Sequence, residues 1–553
     1  MNSSSSSMDK DKHIAANEPG FEQVENAPNA AVADPCLNPA DNVSYGRTGF
    51  RGVVDSPFVF GAALLASLGG FSFGYDQGVI SIINTMDQFH KVFPEAESAF
   101  GTGFMTAMLE LGAFLGCFFM PTLCDKISRK WALTTVVVIF NIGAIMQAAA
   151  TSYGVLVAGR TIAGIGVGTL AMGAPIYISE IAPPNLRGTL LVLESVSIVG
   201  GVVISYWITY GTRHIQSEAA FRIPFGLQMV SATILGTAIH FFPFSPRWLA
   251  LVGRNEDSLT SITKLRRLPA DDHRVQAEFH GILTEVNVHH RIQERRHPGV
   301  RGIKLEIAQW TDLARVWRRT ILACGFSFFQ QFMGINAFIY YAPTLFESLG
   351  QSTEMALILS GIFNILQWVG VGICFVIIDK VGRRALAISG GVITGAAWMV
   401  LAALVGLYSS DWSSHIAAGW AAVAMAFVFV IAFGATYSCL AWAVPAEVFP
   451  NTSRAKGVAA ATVVNWFSNF VVGLATPPMI ESIGFGTYIF YGSFCIMAAV
   501  WAFFCVPETM GKTLEQMDAL FKDGAAEEEK AVMRGEMAGT SQHLEDAKPV
   551  GVV

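Results

Sequence analysis

Twelve runs of about 20 or more predominantly apolar residues follow one another along the chain, and each is long enough to cross a bilayer as an α-helix. Six runs lie near residues 57–82, 98–123, 131–151, 153–178, 189–211 and 223–243. Six more lie near 321–345, 355–378, 385–409, 417–446, 456–478 and 484–506. The charged segment between the two sets cannot cross a membrane. The sequence therefore predicts an all-α membrane protein with twelve transmembrane helices.

The composition agrees with a membrane protein and argues against several other classes. Hydrophobic residues make up 52% of the 553 residues and charged residues only 14%, against about 25% charged in typical soluble domains. A net charge of −6 argues against a nucleic-acid partner. The eight cysteines include no CxxC pair, so neither a disulfide framework nor a zinc site is expected. No nucleophile–base or metal-binding constellation is present, so we expect no enzyme, no cofactor and no metal.

The basic residues of the short loops orient the predicted helices. They concentrate on one side, and loops of that kind face the cytoplasm. Both termini and the central segment fall on that side, which predicts a multi-pass protein of the plasma membrane. Its predicted parts are a disordered N-terminal tail at 1–56, a six-helix bundle at 57–243, a cytoplasmic linker with short helices at 244–320, a second bundle at 321–506 and a C-terminal tail at 507–553.

The two halves repeat each other at loop positions. DKISRK at 125–130 follows the second predicted helix, and DKVGRR at 379–384 follows the eighth. Two Glu–Arg pairs with a spacing of seven residues follow the fourth and the tenth helix: Glu180 with Arg187, and Glu447 with Arg454. A single loop of this kind could serve only to orient its helix. The matched pairs favour two homologous halves about an axis along the membrane normal, as in alternating-access carriers.

Nine sequence stretches identify the family that the chain resembles. They are GGFSFGYDQG (69–78), GRTIAGIGVG (159–168), PIYISEIAPPNLRG (175–188), PFSPRW (243–248), QQFMGINAFIYY (330–341), DKVGRR (379–384), WAVPAEVFP (442–450), NWFSNF (465–470) and PETMGKTLEQ (507–516). In this order they resemble the sugar porter family of the major facilitator superfamily. YWITYGTRHI (206–215) is similar to fungal hexose transporters. The resemblance implies the major facilitator fold and transport of a monosaccharide with a proton.

Four positions depart from the family pattern. Ser128 stands where the first loop motif usually has glycine, and Phe244 replaces the usual acid of a PESPR-type motif. Ser195 occupies the position of a sugar-binding glutamine in the fifth helix, and Gln367 that of an asparagine in the eighth. The last two departures bear on substrate preference.

A neutral sugar site requires amides and flat aromatic rings, because each sugar hydroxyl both donates and accepts hydrogen bonds. Gln330 and Gln331 are consecutive amides in an apolar helix. Asn336 would point about 140° away from Gln331 on a straight helix, but Gly334 could break the helix between them. Alternatively, these amides only bond neighbouring helices. By resemblance, the pocket is lined by Gln330, Gln331, Asn336, Trp442, Asn465 and Trp466, with Gln367 and Ser195 at the altered positions.

Four charged residues lie inside predicted membrane helices, where each costs at least about 2.5–3.5 kcal/mol at the helix centre. The resemblance implies that Asp76 of the first helix and Arg160 of the fourth couple transport to protons. Glu110 is expected to contact a neighbouring helix. Glu194 is expected either to touch the sugar or to face the eighth helix.

Ion pairs at the cytoplasmic helix ends form a predicted gate. Glu180 is expected to pair with Arg129 or Arg187, and Glu447 with Arg383 or Arg454; Asp379 lies in the same loop as Arg383. Such pairs are expected to be exposed and weak, about 0–1 kcal/mol each, which suits contacts that break in every cycle. The sequence thus predicts a monomeric proton-coupled importer of a monosaccharide, glucose first and a pentose second. A uniporter and a non-transporting sensor of the same fold are the alternatives.

Overall fold

The computed structural model of the chain describes residues 45–46, 52, 55–510, 517, 520–524, 527–529 and 531–535. These residues form helices, turns and connecting segments, and none of them belongs to a β-strand. The all-α prediction is therefore confirmed. The N-terminal tail at 1–56 and the C-terminal segment from about 522, both predicted to be disordered, lie largely outside the described residues, although the described residues 527–529 and 531–535 are helical.

Twelve helical spans within the described residues are long and apolar enough to cross a membrane, which confirms the predicted count. Spans 1 to 6, the first half, are Pro57–Ile83, Ala99–Ile127, Arg129–Ala149, Tyr153–Ile181, Arg187–Thr212 and Ala219–Phe241. Spans 7 to 12, the second half, are Trp317–Ser348, Thr353–Ile378, Arg383–Tyr408, Ile416–Val448, Thr452–Ile483 and Gly486–Cys505. A short helix, Asp87–Val92, joins spans 1 and 2.

Four linker helices lie between the halves in sequence: Pro246–Leu251, Asn255–Arg266, His273–Arg296 and Ile303–Thr311. Arg266 forms an ion pair with Glu278 at 2.6 Å and donates from Nη1 to the carbonyl of Ile181, at the end of span 4, at 2.8 Å. Glu306 pairs with Lys456 of span 11. The linker therefore contacts both halves. We call the side of the spans that carries it the linker side.

Three spans consist of two helices each. Span 1 comprises Pro57–Ala66 and Leu68–Ile83, span 7 comprises Trp317–Phe332 and Ile335–Ser348, and span 10 comprises Ile416–Ala435 and Tyr437–Val448. The break that the sequence predicts in span 7 is present at Gly334, whose φ of +88° is in the left-handed region that glycine adopts without strain. Carriers place their sites at discontinuous helices of this kind.

Glycines allow spans 2 and 4 to approach backbone to backbone. A Cβ atom on Gly112 would lie 2.1 Å from the carbonyl oxygen of Thr161, and one on Gly164 would lie 2.0 Å from that of Leu109. Larger residues would force the two helices apart. Membrane helix pairs commonly pack closely through small residues in this way. The close approach places the side chain of Arg160 against the carbonyls of span 2.

Candidate functional site

Spans 7 and 11 supply the four amides that the sequence assigns to a substrate site. The side chains of Gln330, Gln331, Asn336 and Asn465 are between 4% and 7% exposed. They lie where the halves meet, since span 7 packs on span 1 and span 11 packs on span 2. A buried amide that finds no partner costs about 1–3 kcal/mol, so the bonds of each amide determine what the site can do.

The four amides form one continuous chain of hydrogen bonds. Asn336 Nδ2 donates to Gln331 Oε1 at 2.5 Å, and Gln331 Nε2 donates to Asn465 Oδ1 at 3.0 Å. Asn465 Nδ2 donates to Gln330 Oε1 at 2.5 Å, and Gln330 Nε2 donates to the carbonyl of Ser438 at 3.4 Å. Consecutive amides therefore bond one another. A molecule that enters the site must replace these amide–amide hydrogen bonds by bonds to its own groups.

The break at Gly334 explains why Asn336 can join this chain. A straight helix would turn Asn336 away from Gln331, whereas the left-handed residue between them reverses that direction. A Cβ atom at residue 334 would come within 2.8 Å of Tyr491 and 2.9 Å of Trp398. Both the conformation and the space at this position therefore require glycine.

Gln77 of span 1 extends the chain into the first half. Its Nε2 donates to Asn336 Oδ1 at 3.4 Å and to the hydroxyl of Tyr340 at 3.0 Å. The Tyr340 hydroxyl also accepts from Asn469 Nδ2 at 3.0 Å and donates to Glu110 Oε1 at 2.6 Å. One network thus runs from a carboxyl of span 2 to the amides of spans 7 and 11.

Asp76 and Arg160, which the sequence pairs by resemblance, lie together. Arg160 Nη2 is 3.4 Å from Asp76 Oδ2, and each side chain is 1% exposed. The guanidinium also donates from Nε to the carbonyl of Met105 at 2.9 Å and from Nη2 to that of Thr106 at 3.4 Å. The arginine is therefore fixed to span 2 by backbone contacts that do not depend on Asp76.

The remaining predicted site residues occupy less defined positions. Trp466 is fully buried and packs edge-on against Phe73 of span 1, with ring centroids 4.8 Å apart. Trp442 and Ser195 are half-buried. Gln367 is buried, and its Oε1 has no hydrogen-bond partner among the described residues. The structure therefore places Trp466 between the halves, and it joins none of these four residues to the amide chain.

Glu194 contacts span 1, which neither of its two expected roles, contact with the sugar or with span 8, had named. A Cβ atom on Gly70 of span 1 would lie 2.7 Å from its Oε1, so the carboxyl packs against span 1. Span 8 instead meets span 5 through Trp368, whose indole N–H donates to the carbonyl of Val196 at 3.2 Å. These two positions lie on different faces of the helix.

In the first half, Arg129 and Glu180 of the predicted gate form an ion pair. Arg129 donates from Nε and Nη2 to the carboxylate at 2.8 Å, and its Nη1 lies 3.0 Å from Asp125 Oδ1. The side chains of Arg129 and Glu180 are only 8% and 7% exposed. The expectation of an exposed pair is wrong here, because spans 2, 3 and 4 converge around it.

The second-half pair is Arg383 with Glu447, at the equivalent place. Arg383 Nη2 donates to Glu447 Oε1 at 2.7 Å and Nε donates to Oε2 at 3.2 Å. Here the carboxylate is 32% exposed and the arginine 11%. Asp379 belongs to the helix that ends at this turn, but its side chain lies outside the described residues.

Arg187 and Arg454 are not members of these pairs. Arg454 donates to the carbonyl of Phe449 at 3.3 Å and interacts electrostatically with Glu529 of the C-terminal tail. Burial raises the pKa of Glu529, and Arg454 beside it acts in the opposite direction. Arg187 interacts electrostatically with Glu285 of the linker. Both arginines therefore contact groups of the linker side outside the spans.

Comparison with protein families decides what kind of protein carries this network. The family model described as "sugar (and other) transporter" matches residues 62–521. The chain belongs to the sugar porter family of the major facilitator superfamily. The sugar porter is thus a multi-pass membrane transporter and not an enzyme, as the sequence predicts.

Similar proteins come from fungi and bacteria. The high-affinity glucose transporter of Kluyveromyces lactis is 30% identical over 519 residues, which cover 88% of this chain and 92% of that protein. A probable quinate permease of Aspergillus niger is 31% identical and covers 83% of this chain and 87% of its own. Among solved structures, the proton:xylose symporter XylE bound to 6-bromo-6-deoxy-D-glucose is 27% identical, with a TM-score of 0.68, covering 84% of this chain and 99% of that one. XylE is a protein of E. coli.

Three members of the sugar porter's network are absent from the sequence-based site. Gln77 follows Asp76 directly, and a second polar residue in an apolar helix could have indicated it. Asn469 shares a helix face with Asn465, which is a weaker signal. Nothing in the sequence shows that Tyr340 meets Glu110, because that contact depends on how the halves pack.

Proposed function

We propose that this sugar porter imports a monosaccharide, glucose first, together with a proton, as a monomer in the plasma membrane and by alternating access. The observation that carries the proposal is the chain of four buried amides beside a buried Asp76–Arg160 pair. The amides account for the substrate class, and the ion pair accounts for the proton.

The amide chain suits a neutral molecule with several hydroxyl groups. Each amide group donates and accepts, and so does each hydroxyl. A sugar that enters between Gln331 and Asn465 can therefore replace one amide–amide bond by two amide–hydroxyl bonds without leaving a buried group unpaired. Trp466 supplies an adjacent flat surface for the apolar face of a sugar ring.

Relatives support this substrate class. The names of the related proteins mention glucose, myo-inositol, quinate and xylose, which are all polyhydroxylated rings. Quinate carries a carboxylate and would need a cationic partner. In the described network the buried cation is Arg160, and it is already paired with Asp76. This arrangement favours a neutral sugar over quinate.

The Asp76–Arg160 pair supports proton coupling. Both groups are buried within apolar spans, where an ionised Asp76 is stabilised by Arg160 and a neutral Asp76 by its removal from water. Binding of one proton therefore breaks one buried ion pair. A proton that enters with a neutral sugar carries one charge, worth about 2.3 kcal/mol per 100 mV, or nearly 50-fold accumulation. The name of XylE as a proton:xylose symporter agrees with this proposal.

The basic loops support the proposed orientation. Arg129 and Arg383 both lie at the linker side, with their neighbouring lysine and arginine residues. By the positive-inside rule that side faces the cytoplasm, and both termini lie there too.

Uptake in a cell that lacks its own hexose carriers tests the proposal. The measurement uses radiolabelled glucose, xylose, myo-inositol and quinate, with and without a proton gradient. We expect uphill accumulation of a neutral sugar, faster at acidic external pH. Asp76→Asn should abolish uphill accumulation and the effect of acid, yet retain exchange of labelled sugar down a gradient.

Three results would contradict the proposal. Accumulation of quinate alone would exclude the neutral-sugar site. Downhill uptake by the unchanged protein with no proton dependence would favour a uniporter, and binding without any uptake would favour a sensor. Loss of both exchange and stable protein in Asp76→Asn would mean that Asp76 only joins span 1 to span 4.

A further inference from the structure

The Asp76–Arg160 ion pair lies wholly within the first half. Asp76 belongs to span 1 and Arg160 to span 4, and in alternating access the halves move largely as rigid bodies. A contact within one half does not change when the two halves separate. Coupling of the proton to that movement therefore requires a second contact that crosses between the halves and depends on charge.

Glu110 makes such a contact. It belongs to span 2, is 1% exposed, and accepts from the Tyr340 hydroxyl of span 7 at 2.6 Å. The Tyr340 oxygen accepts from Gln77 and from Asn469, each at 3.0 Å. A hydroxyl has two acceptor positions and one hydrogen. Its one hydrogen has two acceptors within reach, and the contact with Glu110 Oε1 at 2.6 Å is much shorter than the one with Asn469 Oδ1 at 3.3 Å, so the geometry favours donation to Glu110.

Glu110 and Asp76 also share one arginine. Both carboxyls interact electrostatically with Arg160, which donates to the carbonyl of Thr106 one helical turn before Glu110. The other titratable groups that face this site are Tyr340 and Tyr341 of span 7. Two buried acids and one buried base leave one negative charge uncompensated, which is costly away from water. The set is balanced when one of the acids holds a proton.

Each acid has an oxygen on which a proton can reside. Asp76 Oδ1 and Glu110 Oε2 are buried and have no hydrogen-bond partner among the described residues. The remaining oxygen of each acid is held in place, by Arg160 for Asp76 and by Tyr340 for Glu110.

We propose that Glu110 shares the transported proton with Asp76 and, through Tyr340, makes the contact between the two halves depend on that proton. The inference rests on the proposed proton-coupled transport. A hydrogen bond to an ionised carboxylate is roughly twice as strong as one to a neutral group. An ionised Glu110 therefore holds Tyr340 of the second half to the first half, and a protonated Glu110 releases it.

The same contact reaches the sugar site. Gln77 uses one amide nitrogen for both Tyr340 and Asn336, so a change at Tyr340 alters the position of a donor at the end of the amide chain. Coupling between two ligands is reciprocal. Sugar binding must then change the protonation of the acid pair by the same factor by which protonation changes the affinity for sugar.

Sugar-induced proton uptake by the purified protein tests the inference. The protein is mixed with glucose, or with the best sugar of the uptake panel, in weakly buffered detergent solution with a pH indicator dye, and the sugar dissociation constant is measured from acid to neutral pH. In the unchanged protein we expect proton uptake and a change of affinity with pH of at least about fivefold. In Glu110→Gln and in Tyr340→Phe, both should fall to less than about twofold or disappear, while sugar still binds.

Tyr491→Phe is the matched control. Tyr491 is also 1% exposed, and its hydroxyl also bonds at 2.6 Å, but to Thr476 within the second half. It should keep the pH profile of the unchanged protein. Tyr340→Phe retains both acids, so it decides the question even if Glu110→Gln does not fold.

The failure of the inference differs from the failure of the proposed function. If the unchanged protein takes up protons with sugar and Tyr340→Phe does the same, the inference is wrong and proton coupling stands. If the unchanged protein takes up no proton with any sugar of the panel, both are wrong.

Discussion

The turns that precede span 3 and span 9 share a backbone conformation and differ in chemistry. Ser128 has φ 86° and ψ 158°, and Gly382 has φ 91° and ψ 156°. In both halves the next residue is an arginine of the predicted gate, whose Nη1 donates to the carbonyl five residues before it. Dihedrals of this kind are almost confined to glycine. The second half obeys that rule, and the first half breaks it with a serine.

A carboxylate explains the glycine in the second half. Glu508 accepts from the backbone N–H of Arg383 at 3.0 Å and of Arg384 at 3.2 Å, and so caps span 9. A Cβ atom on Gly382 would lie 2.5 Å from Glu508 Oε2. A side chain at residue 382 would therefore crowd the acid that caps the helix.

The first half lacks that acid. Phe244 stands at the motif position that corresponds to Glu508, and its ring centroid is 4.5 Å from Lys130 Nζ. With no carboxylate at the turn, a side chain fits at residue 128, and Ser128 Oγ accepts from the N–H of Trp131 at 3.3 Å. Both departures from the family motif thus lie at or beside this turn. The repeat preserves the shape of the turn while the group that caps the helix has changed.

Gly382→Ser should have the largest effect, because it places the first-half residue in the second-half turn. Backbone strain costs about 1–3 kcal/mol, and crowding against Glu508 costs a similar amount. We expect the free energy of unfolding to fall by about 4 kcal/mol. The measurement is the apparent melting temperature in detergent. Adding Glu508→Ala to the Gly382→Ser variant should restore the part of the stability loss that crowding against Glu508 causes. An unchanged melting temperature would refute the pairing of acid and glycine.

Removal of the carboxylates of the predicted gate should destabilise the protein more in the first half than in the second, because the first-half ion pair is more deeply buried. Glu180→Ala leaves Arg129 buried with only Asp125 as a carboxylate partner, which should cost about 3 kcal/mol. Glu447 is 32% exposed, so Glu447→Ala should cost about 1 kcal/mol. The measurement is the thermal unfolding of both variants in 1 M salt. Salt screens buried charges only weakly, so the difference in stability between the two variants should persist. Equal losses would mean that the exposure of the pairs does not matter.

Glu508→Gln keeps the shape of the cap and removes its charge. Two backbone donors would then bond a neutral oxygen, which should cost about 1–2 kcal/mol. The comparison is the melting temperature of Gln and Ala variants at residue 508. If the Gln variant is as unstable as the Ala variant, the carboxylate acts through something other than these two bonds.

Ser128→Gly should have the smallest effect and the opposite sign. It relieves strain of about 1–3 kcal/mol, and replacing a serine cap by glycine costs only a few tenths, less than replacing it by alanine, so we expect stabilisation by about 1 kcal/mol. Ser128→Ala keeps the strain and loses the cap, and should destabilise by about 1 kcal/mol. Melting temperatures that shift in the same direction for both variants would contradict the strain at this turn.

The number of spans and the break in span 7 could be predicted from the sequence, whereas the breaks in spans 1 and 10 were not predicted. Apolar length determines the spans, and glycine at residue 334 determines the break, since both are local properties. The partner of Glu180 could not be predicted, because Arg129 and Arg187 are both close in sequence and only packing distinguishes them. The span that covers Glu194 could not be predicted for a similar reason, because helix periodicity indicates a face but not the span that packs against it. The Glu110–Tyr340 contact joins residues 230 positions apart, and no local pattern indicates it.

The mutually bonded amides also bear on the step that follows release of cargo. A carrier must return to its starting conformation without substrate before it can transport again. Each buried polar group left without a partner would raise the free-energy barrier of that return step by about 1–3 kcal/mol. Here Asn336, Gln331, Asn465 and Gln330 bond one another. The return of the protein without substrate should therefore have a low barrier. Uptake of labelled sugar should then be hardly faster with unlabelled sugar on the inside than without it.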